Sequence, residues 1–202
     1  MVTDPYIFPG TNTLRNLAGI SDFVELQRFE AISTAQRISE LCLEPIRGPF
    51  DAPHLQRVHR YIFQDVYSWA GAFRTVNMGT ESGSWFCRPE FILQSLINLF
   101  LELEREERLK HASQDEFSSK AAHYMGELNA IHPFREGNGR TQREFIRELG
   151  IQAGFHVDWA LVTRETMYSA SIASFEKGNK RPFVRMIDDI TTQLGPGEEM
   201  GS

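Results

Sequence analysis

The stretch HPFREGNGRTQR, residues 132–143, decides how the rest of this chain is interpreted, because it ends one helix and begins another. Pro133 disfavours helical backbone at His132, so the preceding helix is expected to end at Ile131. The Gly-Asn-Gly sequence then favours a turn, after which helical periodicity resumes and continues to Gly154, a residue typical of the C′ position. The sequence therefore predicts two helices joined by a short loop that carries several chemically active side chains.

Helical periodicity extends through most of the chain, and local start signals divide it into separate helices. Asp22 with Glu25, and Ser113 with Glu116, form capping-box patterns, and Pro53 suits the first turn of a helix. The predicted helices cover about 23–43, 52–70, 89–110, 114–131, 140–153, 163–177 and 181–194. We predict an all-α fold, a helical bundle interrupted by one β-hairpin.

The helical pattern breaks at residues 73–87, where a β-hairpin is predicted. Phe73, Thr75 and Val76 suit an outgoing strand, the sequence GTESG is typical of a turn, and Trp-Phe-Cys at 85–87 suits a returning strand. Taken alone, this hairpin is a surface excursion without a defined role.

Composition indicates a single domain over residues 1–202, with a tail at 195–202 that is expected to be disordered. The net charge of −6 disfavours direct nucleic-acid binding, which needs a basic surface. Two cysteines are too few for a disulfide scaffold, so a reduced, cytoplasmic protein is expected. No apolar run approaches the roughly 20 residues of a membrane-spanning helix, and no membrane association is expected.

Arg140 and Arg143 lie three residues apart in the first turn of a predicted helix, where cations oppose the helix dipole. An anion bound at that helix N-terminus would make both arginines favourable, because free N–H groups, the dipole and the guanidinium groups would then act together. Gly137 and Gly139 would let the backbone approach a phosphate closely, and Asn138 tolerates a left-handed conformation and offers an amide donor. We therefore predict a phosphate site.

Glu136 directly precedes this anion site and would repel the ligand unless a divalent cation lay between them. Because Mg²⁺ uses few protein carboxylates and completes its shell with water and phosphate oxygens, one glutamate is sufficient. His132 borders the site, and its imidazole titrates near neutral pH, which suits a general base. Phe134 is expected to point into the core and to anchor the loop.

The string HPFREGNGRTQR matches the Fic family motif HxFx(D/E)GNGRxxR at each fixed position. The segments DPYIFPGTNTLRN, DVYSWAGAFRTVNM and MGELNAIHPF also resemble the single-domain bacterial Fic toxins, so the resemblance covers roughly residues 4–194. It implies the Fic fold and a protein adenylyltransferase, which moves AMP from ATP to a protein hydroxyl and releases pyrophosphate. It further implies Mg²⁺ as cofactor and ATP as co-substrate.

The resemblance also implies a role for each site residue. His132 would deprotonate the target hydroxyl, and Glu136 would bind magnesium. The phosphate groups would be held by the anion hole and the motif arginines, namely Gly137, Asn138, Gly139, Arg140 and Arg143, with Arg143 at the γ-phosphate. The hairpin would be the family's flap, which holds the target by strand addition, with Thr75, Val76, Asn77, Met78 and Gly79 nearest the target and nucleotide.

Many Fic proteins carry an inhibitory helix with the motif (S/T)xxxE(G/N), and this sequence lacks it: the nearest match, Ser21 to Glu25, is followed by Leu26. We therefore expect inhibition by a separate small antitoxin that carries the motif. In the toxin class that the sequence resembles, the targets are subunits of DNA gyrase and topoisomerase IV. Alternatives remain open: a Fic-fold transferase of phosphate or phosphocholine, or a binding module without catalysis.

Overall fold

Seven α-helices and one small sheet form the described part of the chain, residues 4–80 and 82–195 of a computed structural model. The helices are α1 (Phe23–Leu43), α2 (Ala52–Phe63), α3 (Ile92–Arg105), α4 (Gln114–Ile131), α5 (Asn138–Ala153), α6 (Arg164–Lys177) and α7 (Arg181–Asp189). Strands β1 (Phe155–Val157) and β2 (Thr191–Gln193) pair antiparallel. The predicted all-α class is confirmed, with this two-stranded sheet as an addition.

The predicted helix starts and stops are set by side chains that satisfy the free backbone groups. Asp22 accepts the N–H of the residue three positions on at 2.8 Å, and Asp51 does the same at 2.7 Å. Ser113 forms a complete capping box, and Thr163 caps α6. Gly154 ends α5 in the left-handed conformation, with φ of 87°. These boundaries confirm the interpretation of the capping patterns.

The second helix is shorter than predicted, because it ends at Phe63 and does not continue to Gly71. The carbonyl of Val66 accepts the N–H of Leu17 at 2.8 Å, and the N–H of Gly71 donates to Nδ1 of His59 at 2.8 Å. Tertiary hydrogen bonds therefore replace the helical ladder over 64–71. The apolar spacing there reflects a buried turn.

The sheet was not predicted, and the expected helix over 181–194 is wrong beyond Asp189. Phe155 pairs with Gln193 and Val157 with Thr191, so β2 lies beside β1, which packs against α5. Three-residue strands carry too little periodicity to be separated from a helix end.

Two further segments depart from the predicted helices and strands. The hairpin at 73–87, described except at residue 81, shows one bridge there, between Gly79 and Trp85, and the expected strand at 73–76 is irregular. The helix predicted over 89–110 begins with a 3-10 turn at Pro89–Phe91 and its α-helical part ends at Arg105. Positive φ angles at 107–109 turn the chain so that Leu109 is buried.

The core has two parts, and the loop at 132–137 lies where α2 and α5 bring them together. The larger part surrounds α4 and α5, with Phe117, Leu128 and Phe145 fully buried. The smaller part lies between α1 and α2, around Leu41 and Phe63. No helix in the described ranges is long and apolar enough to cross a bilayer. The tail predicted to be disordered, 195–202, lies outside the described residues except for residue 195.

Candidate active site

The loop at 132–137 is held by its own side chains and by the core. His132 ends α4 in the left-handed conformation, with φ of 48°, which is uncommon for a residue other than glycine. Phe134 is buried and stacks on His59 with 3.8 Å between ring centroids. Asn138 accepts the N–H of Phe134 at 2.9 Å and donates to its carbonyl at 2.8 Å. The loop is therefore a turn closed by two hydrogen bonds between Phe134 and Asn138.

These bonds correct the prediction for Asn138 in part. Its side-chain amide is buried and used within the loop, so it is not an anion donor. The backbone N–H of Asn138, at the start of α5, remains available to an anion.

The two glycine positions of the turn differ in whether the fold could accept a side chain there. Gly137 has φ of 81°, and a Cβ atom there would lie 2.1 Å from Cζ of Phe63, so the fold itself excludes a side chain. Gly139 is helical, and a Cβ atom there would meet nothing within 4 Å. Since glycine in a helix is less stable than alanine, the protein's own packing gives no reason for Gly139.

The His132 imidazole lies beneath the hairpin, stacked on Phe86 with 3.9 Å between centroids and 10° between planes. Burial lowers its pKa to about 4; the carbonyl of Asn129 acts in the opposite direction, and the charge of Arg74 lowers the pKa further. Nδ1 is buried without a hydrogen-bond partner among the described residues. The ring is therefore neutral at physiological pH and can accept a proton.

Arg140 is held by α1, because its guanidinium donates to Glu30 at 2.5 Å and to Thr34 at 3.1 Å. The same group lies 4.7 Å from the ring centroid of Phe63 and 3.5 Å from Oε1 of Glu136. It therefore lies in a fixed position with a mixed acidic and aromatic environment, and it lines a cavity of about 520 Å³ together with Glu30 and Glu136.

Arg143 has no ion pair or side-chain hydrogen bond within the described ranges, although it is half-buried. Burial lowers its pKa, and the positive charge of Arg140 adds to that effect. It lines a second cavity, of about 850 Å³, which also contains Arg140, Arg147 and Arg164. Because Arg140 and Arg164 line both cavities, the two are adjacent at the start of α5, and together they are called the depression below.

Glu136 stands at the edge of this depression with its carboxylate 44% exposed. Oε1 accepts the N–H of Gly137 at 2.9 Å, whereas Oε2 has no hydrogen-bond partner in the described part of the chain. No group of three or more acidic, His or Cys side chains there could bind a metal unaided. The donor set therefore fits a cation such as Mg²⁺ that brings water and phosphate oxygens as its other ligands.

The predicted flap residues alternate in exposure. Thr75, Asn77 and Gly79 are exposed, whereas Val76 and Met78 are half-buried. The carbonyl of residue 78 and the N–H of residue 80 bond to the returning arm at 3.0 and 2.8 Å, so the peptide groups of 77 and 79 face outward. Thr75 is tied to the N-terminal segment, because its N–H donates to the Tyr6 hydroxyl at 3.2 Å. The outer arm thus presents a short free edge.

The predicted residues fall into two groups. Glu136, Arg140 and Arg143 meet around the depression, whereas His132 is not among the residues that line its two cavities and instead faces the hairpin. Sequence reasoning missed His59, whose Nε2 donates to the carbonyl of Glu136 at 3.0 Å while burial lowers its pKa to about 3. Its place on the apolar face of α2 was the available signal.

The chain is similar in sequence to a known family and to two named proteins. The profile described as the Fic/DOC family matches residues 49–149. The chain is 44% identical over 172 residues to the protein adenylyltransferase VbhT of Bartonella schoenbuchensis, covering 85% of this chain and 36% of VbhT. It is 41% identical over 175 residues to the probable protein adenylyltransferase y4lH of Sinorhizobium fredii, covering 86% of this chain and 89% of that protein.

A solved structure shares the fold over nearly the whole chain. The BepC protein of Bartonella tribocorum, crystallised with bound AMPPNP, superposes with a TM-score of 0.87 at 31% identity, covering 94% of this chain and 97% of that one. The chain spans about a third of the length of VbhT but most of y4lH and of the crystallised BepC chain.

Proposed function

The chain belongs to the Fic/DOC family, and from this premise we propose that it is a protein adenylyltransferase that transfers AMP from ATP to a hydroxyl group of a target protein. The observation that carries the proposal is the half-buried Arg143 without an anionic partner in the described residues, beside Arg140 and the N–H groups that begin α5. A buried cation of this kind is costly unless a ligand supplies the anion.

The first turn of α5 supports a phosphate site in two further ways. It contains no acidic residue, so nothing in that turn competes with a bound anion for the helix dipole. Gly139 has open space where a Cβ atom would be, which suits close approach of a phosphate to the backbone. Asn138 and Gly139 would then contribute backbone N–H groups, and Gly137 would add its own on exchanging Oε1 of Glu136 for a phosphate oxygen. Arg140 and Arg143 would contribute guanidinium groups to the triphosphate.

His132 is proposed as the general base that takes the proton of the target hydroxyl while the hydroxyl oxygen attacks the α-phosphorus. The P–O bond to the β-phosphate breaks in the same displacement, and pyrophosphate leaves. The lowered pKa, about 4, is consistent with this role in one respect, because it keeps the ring at neutral pH in the unprotonated form that a base requires. Alignment and charge stabilisation, supplied by the loop and the arginines, would provide most of the acceleration.

Glu136 is proposed as the protein ligand of Mg²⁺, through the carboxylate oxygen that has no partner in the described ranges. The ion would neutralise charge on the phosphate oxygens when bound. Phe134, stacked on His59, would keep the Glu136 and His132 ends of the loop at a fixed separation.

The hairpin is proposed as the target-binding element. The outward peptide groups of Asn77 and Gly79 support strand addition, in which an extended target segment would hydrogen-bond along the outer arm. Thr75, Val76 and Met78 would contact the same segment or the nucleotide. Phe86, on the returning arm of the same hairpin, stacks on His132, so the hairpin that would bind the target adjoins the proposed base.

Labelled ATP tests the reaction and separates it from its alternatives. Transfer from ATP labelled at the α-phosphate supports adenylylation, and transfer from the γ-phosphate would indicate a kinase. Absence of both with a competent target would indicate a binding module, and transfer from a phosphocholine donor would indicate that third chemistry. His132→Ala is the matched control, since it should bind ATP and transfer nothing.

We also propose that the protein is the toxin of a toxin–antitoxin pair that modifies subunits of DNA gyrase or topoisomerase IV. The 44% identity to VbhT and the absence of an inhibitory motif from the sequence support this proposal. Purified gyrase and topoisomerase IV subunits, incubated with the protein and α-labelled ATP, provide the test. Unlabelled subunits, alongside labelled proteins in a whole lysate, would refute the target while leaving the activity intact.

A separate antitoxin that carries the (S/T)xxxE(G/N) helix is proposed as the inhibitor, acting on Arg143. The test compares protein purified alone with protein co-expressed with the product of the adjacent gene. Equal labelling of the target by both preparations would exclude that product as an inhibitor.

A further inference from the structure

The C-terminal end of α4 has one cap bond of its own, in which the N–H of His132 donates to the carbonyl of Leu128 at 2.9 Å. Its last turn carries no basic residue, and the left-handed position that follows is occupied by His132, where helices usually place glycine. The carbonyl groups of Ala130 and Ile131 in the last turn, and those of His132 and Pro133 in the loop that follows, therefore need partners from elsewhere in the chain.

The base of the hairpin supplies all four partners. The N–H of Cys87 donates to the Ala130 carbonyl at 3.2 Å, and the N–H of Arg74 donates to Pro133 at 2.9 Å. The Arg74 side chain donates to the other two carbonyls: Nε donates to that of His132 at 2.7 Å, and Nη2 donates to that of Ile131 at 3.3 Å. The residue that would be the catalytic base is thus capped through its own carbonyl oxygen.

The same guanidinium joins the two arms of the hairpin. Nη1 of Arg74 donates to the carbonyl of Val76 at 2.7 Å, and Nη2 donates to the carbonyl of Cys87. Arg74 is only 2% exposed and has no carboxylate partner among the described residues. A buried arginine bonded only to carbonyls is favourable here because it lies at the negative end of the α4 dipole.

We propose that Arg74 is a positioning residue, which locks the His132 end of α4 and both arms of the hairpin into one unit so that base and bound target keep a fixed relation. The inference rests on the proposed function for its catalytic consequence. The structural part of the inference, that Arg74 fixes the position of the His132 backbone and ring, does not depend on the proposed function. Phe86, carried on the arm that Arg74 fixes, stacks on the imidazole and completes the unit.

Few groups act on the imidazole. The hairpin contributes Arg74, which is charged, and Phe86, which is not; α4 contributes the carbonyl of Asn129; and the α6 residue Phe175 reaches only Phe86, at 5.0 Å between centroids. Since the Arg74 charge and the burial both lower the pKa of His132, removing Arg74 should raise that pKa. A merely structural residue elsewhere would leave it unchanged.

The experiment uses Arg74→Met, which removes charge and hydrogen bonds, and Arg74→Lys, which keeps the charge but cannot reach four carbonyls. Tyr124→Phe is the control for a general loss of stability, because its hydroxyl bonds to Glu106 at 2.7 Å, away from the hairpin. Histidine ring signals are followed by NMR from pH 3.5 to 8, with the His132 signal assigned from its loss in His132→Asn.

We expect the His132 titration to move to higher pH in Arg74→Met and by less in Arg74→Lys, with its ring shift changed in both. The kcat of transfer should fall by about a hundredfold in both variants with nucleotide affinity retained, as expected for a misplaced base. Tyr124→Phe should change neither quantity. A wild-type His132 titration and ring shift in both Arg74 variants would overturn the inference.

The two proposals fail separately. If the wild-type protein transfers no AMP but the His132 titration still moves, the proposed function is wrong and the role of Arg74 in positioning the ring stands. If Arg74→Met does not fold, Arg74→Lys decides the matter, since it preserves the buried charge. Normal kcat in a folded Arg74→Lys protein with an unchanged His132 signal would also refute the inference.

Discussion

Replacing Gly139 by alanine separates folding from function more sharply than any other change at the site. The backbone at Gly139 is helical, and the added methyl group would have no neighbour within 4 Å. The protein alone should therefore accept alanine without strain. If a phosphate lies against this turn, the methyl group would occupy the space that the phosphate oxygens need.

Gly139→Ala is expected to raise stability and to lower transfer activity. Because alanine loses less backbone entropy than glycine on folding, the free energy of unfolding should rise by about 0.5–1 kcal/mol. Transfer should nevertheless fall by about a hundredfold or more, the loss that follows when a backbone donor no longer reaches the charged oxygens of a transition state. A gain in stability combined with a loss of activity cannot result from misfolding.

Urea unfolding measures the first quantity, and labelling of a target with α-labelled ATP measures the second. Gly137→Ala is the matched control: its Cβ atom would lie 2.1 Å from the Phe63 ring at a positive φ, so stability should fall by about 1–3 kcal/mol. Full nucleotide affinity and full transfer by Gly139→Ala would refute a phosphate site at the start of α5.

Three further changes test other parts of the site. His132→Ala should abolish transfer while nucleotide affinity, measured by calorimetry, stays within about twofold; measurable turnover would remove the assigned base. Arg143→Ala should raise the KM for ATP about tenfold or more. It should not lower the free energy of unfolding, because it removes a half-buried cation that has no partner in the described residues. A marked fall in stability would reveal a structural role. For pH dependence, the pKa of His59 is lowered from 6.5 to about 3, so below about pH 6.5 the unfolded chain binds a proton that the native protein does not. As the pH is lowered from about 6 to 4, His59 should therefore reduce the free energy of unfolding by about 1.4 kcal/mol for each pH unit. His59→Gln should remove this contribution from the pH dependence measured by urea unfolding at several pH values.

The parts of the fold that the sequence predicted are those with local chemical causes. Asp22, Ser113 and Thr163 start helices through side-chain bonds to backbone only three residues away, and Gly154 ends one through its own φ. The parts that it did not predict depend on distant partners. The turn after Phe63 uses the N–H of residue 17, and the strand at 191–193 exists because residues 155–157 pair with it.

The site shows the same division. The motif residues are consecutive, so their types and spacing pointed to a phosphate site without knowledge of the fold. The inward orientation of the Asn138 amide, by contrast, is set by a bond to Phe134 that competes with any ligand. Arg74 lies 58 residues before the His132 carbonyl that it caps, and a single arginine in a predicted hairpin gave no indication of that contact.

The closed turn at 132–138 has a kinetic consequence. Since Phe134 and Asn138 already satisfy each other, and His59 already holds the carbonyl of Glu136, little chain entropy remains to be lost when a nucleotide arrives. The rate of nucleotide association should then depend on charge attraction and diffusion, and it should fall as salt is added. An inhibitor would have to compete with the nucleotide for the arginines, because there is no ordering step for it to prevent.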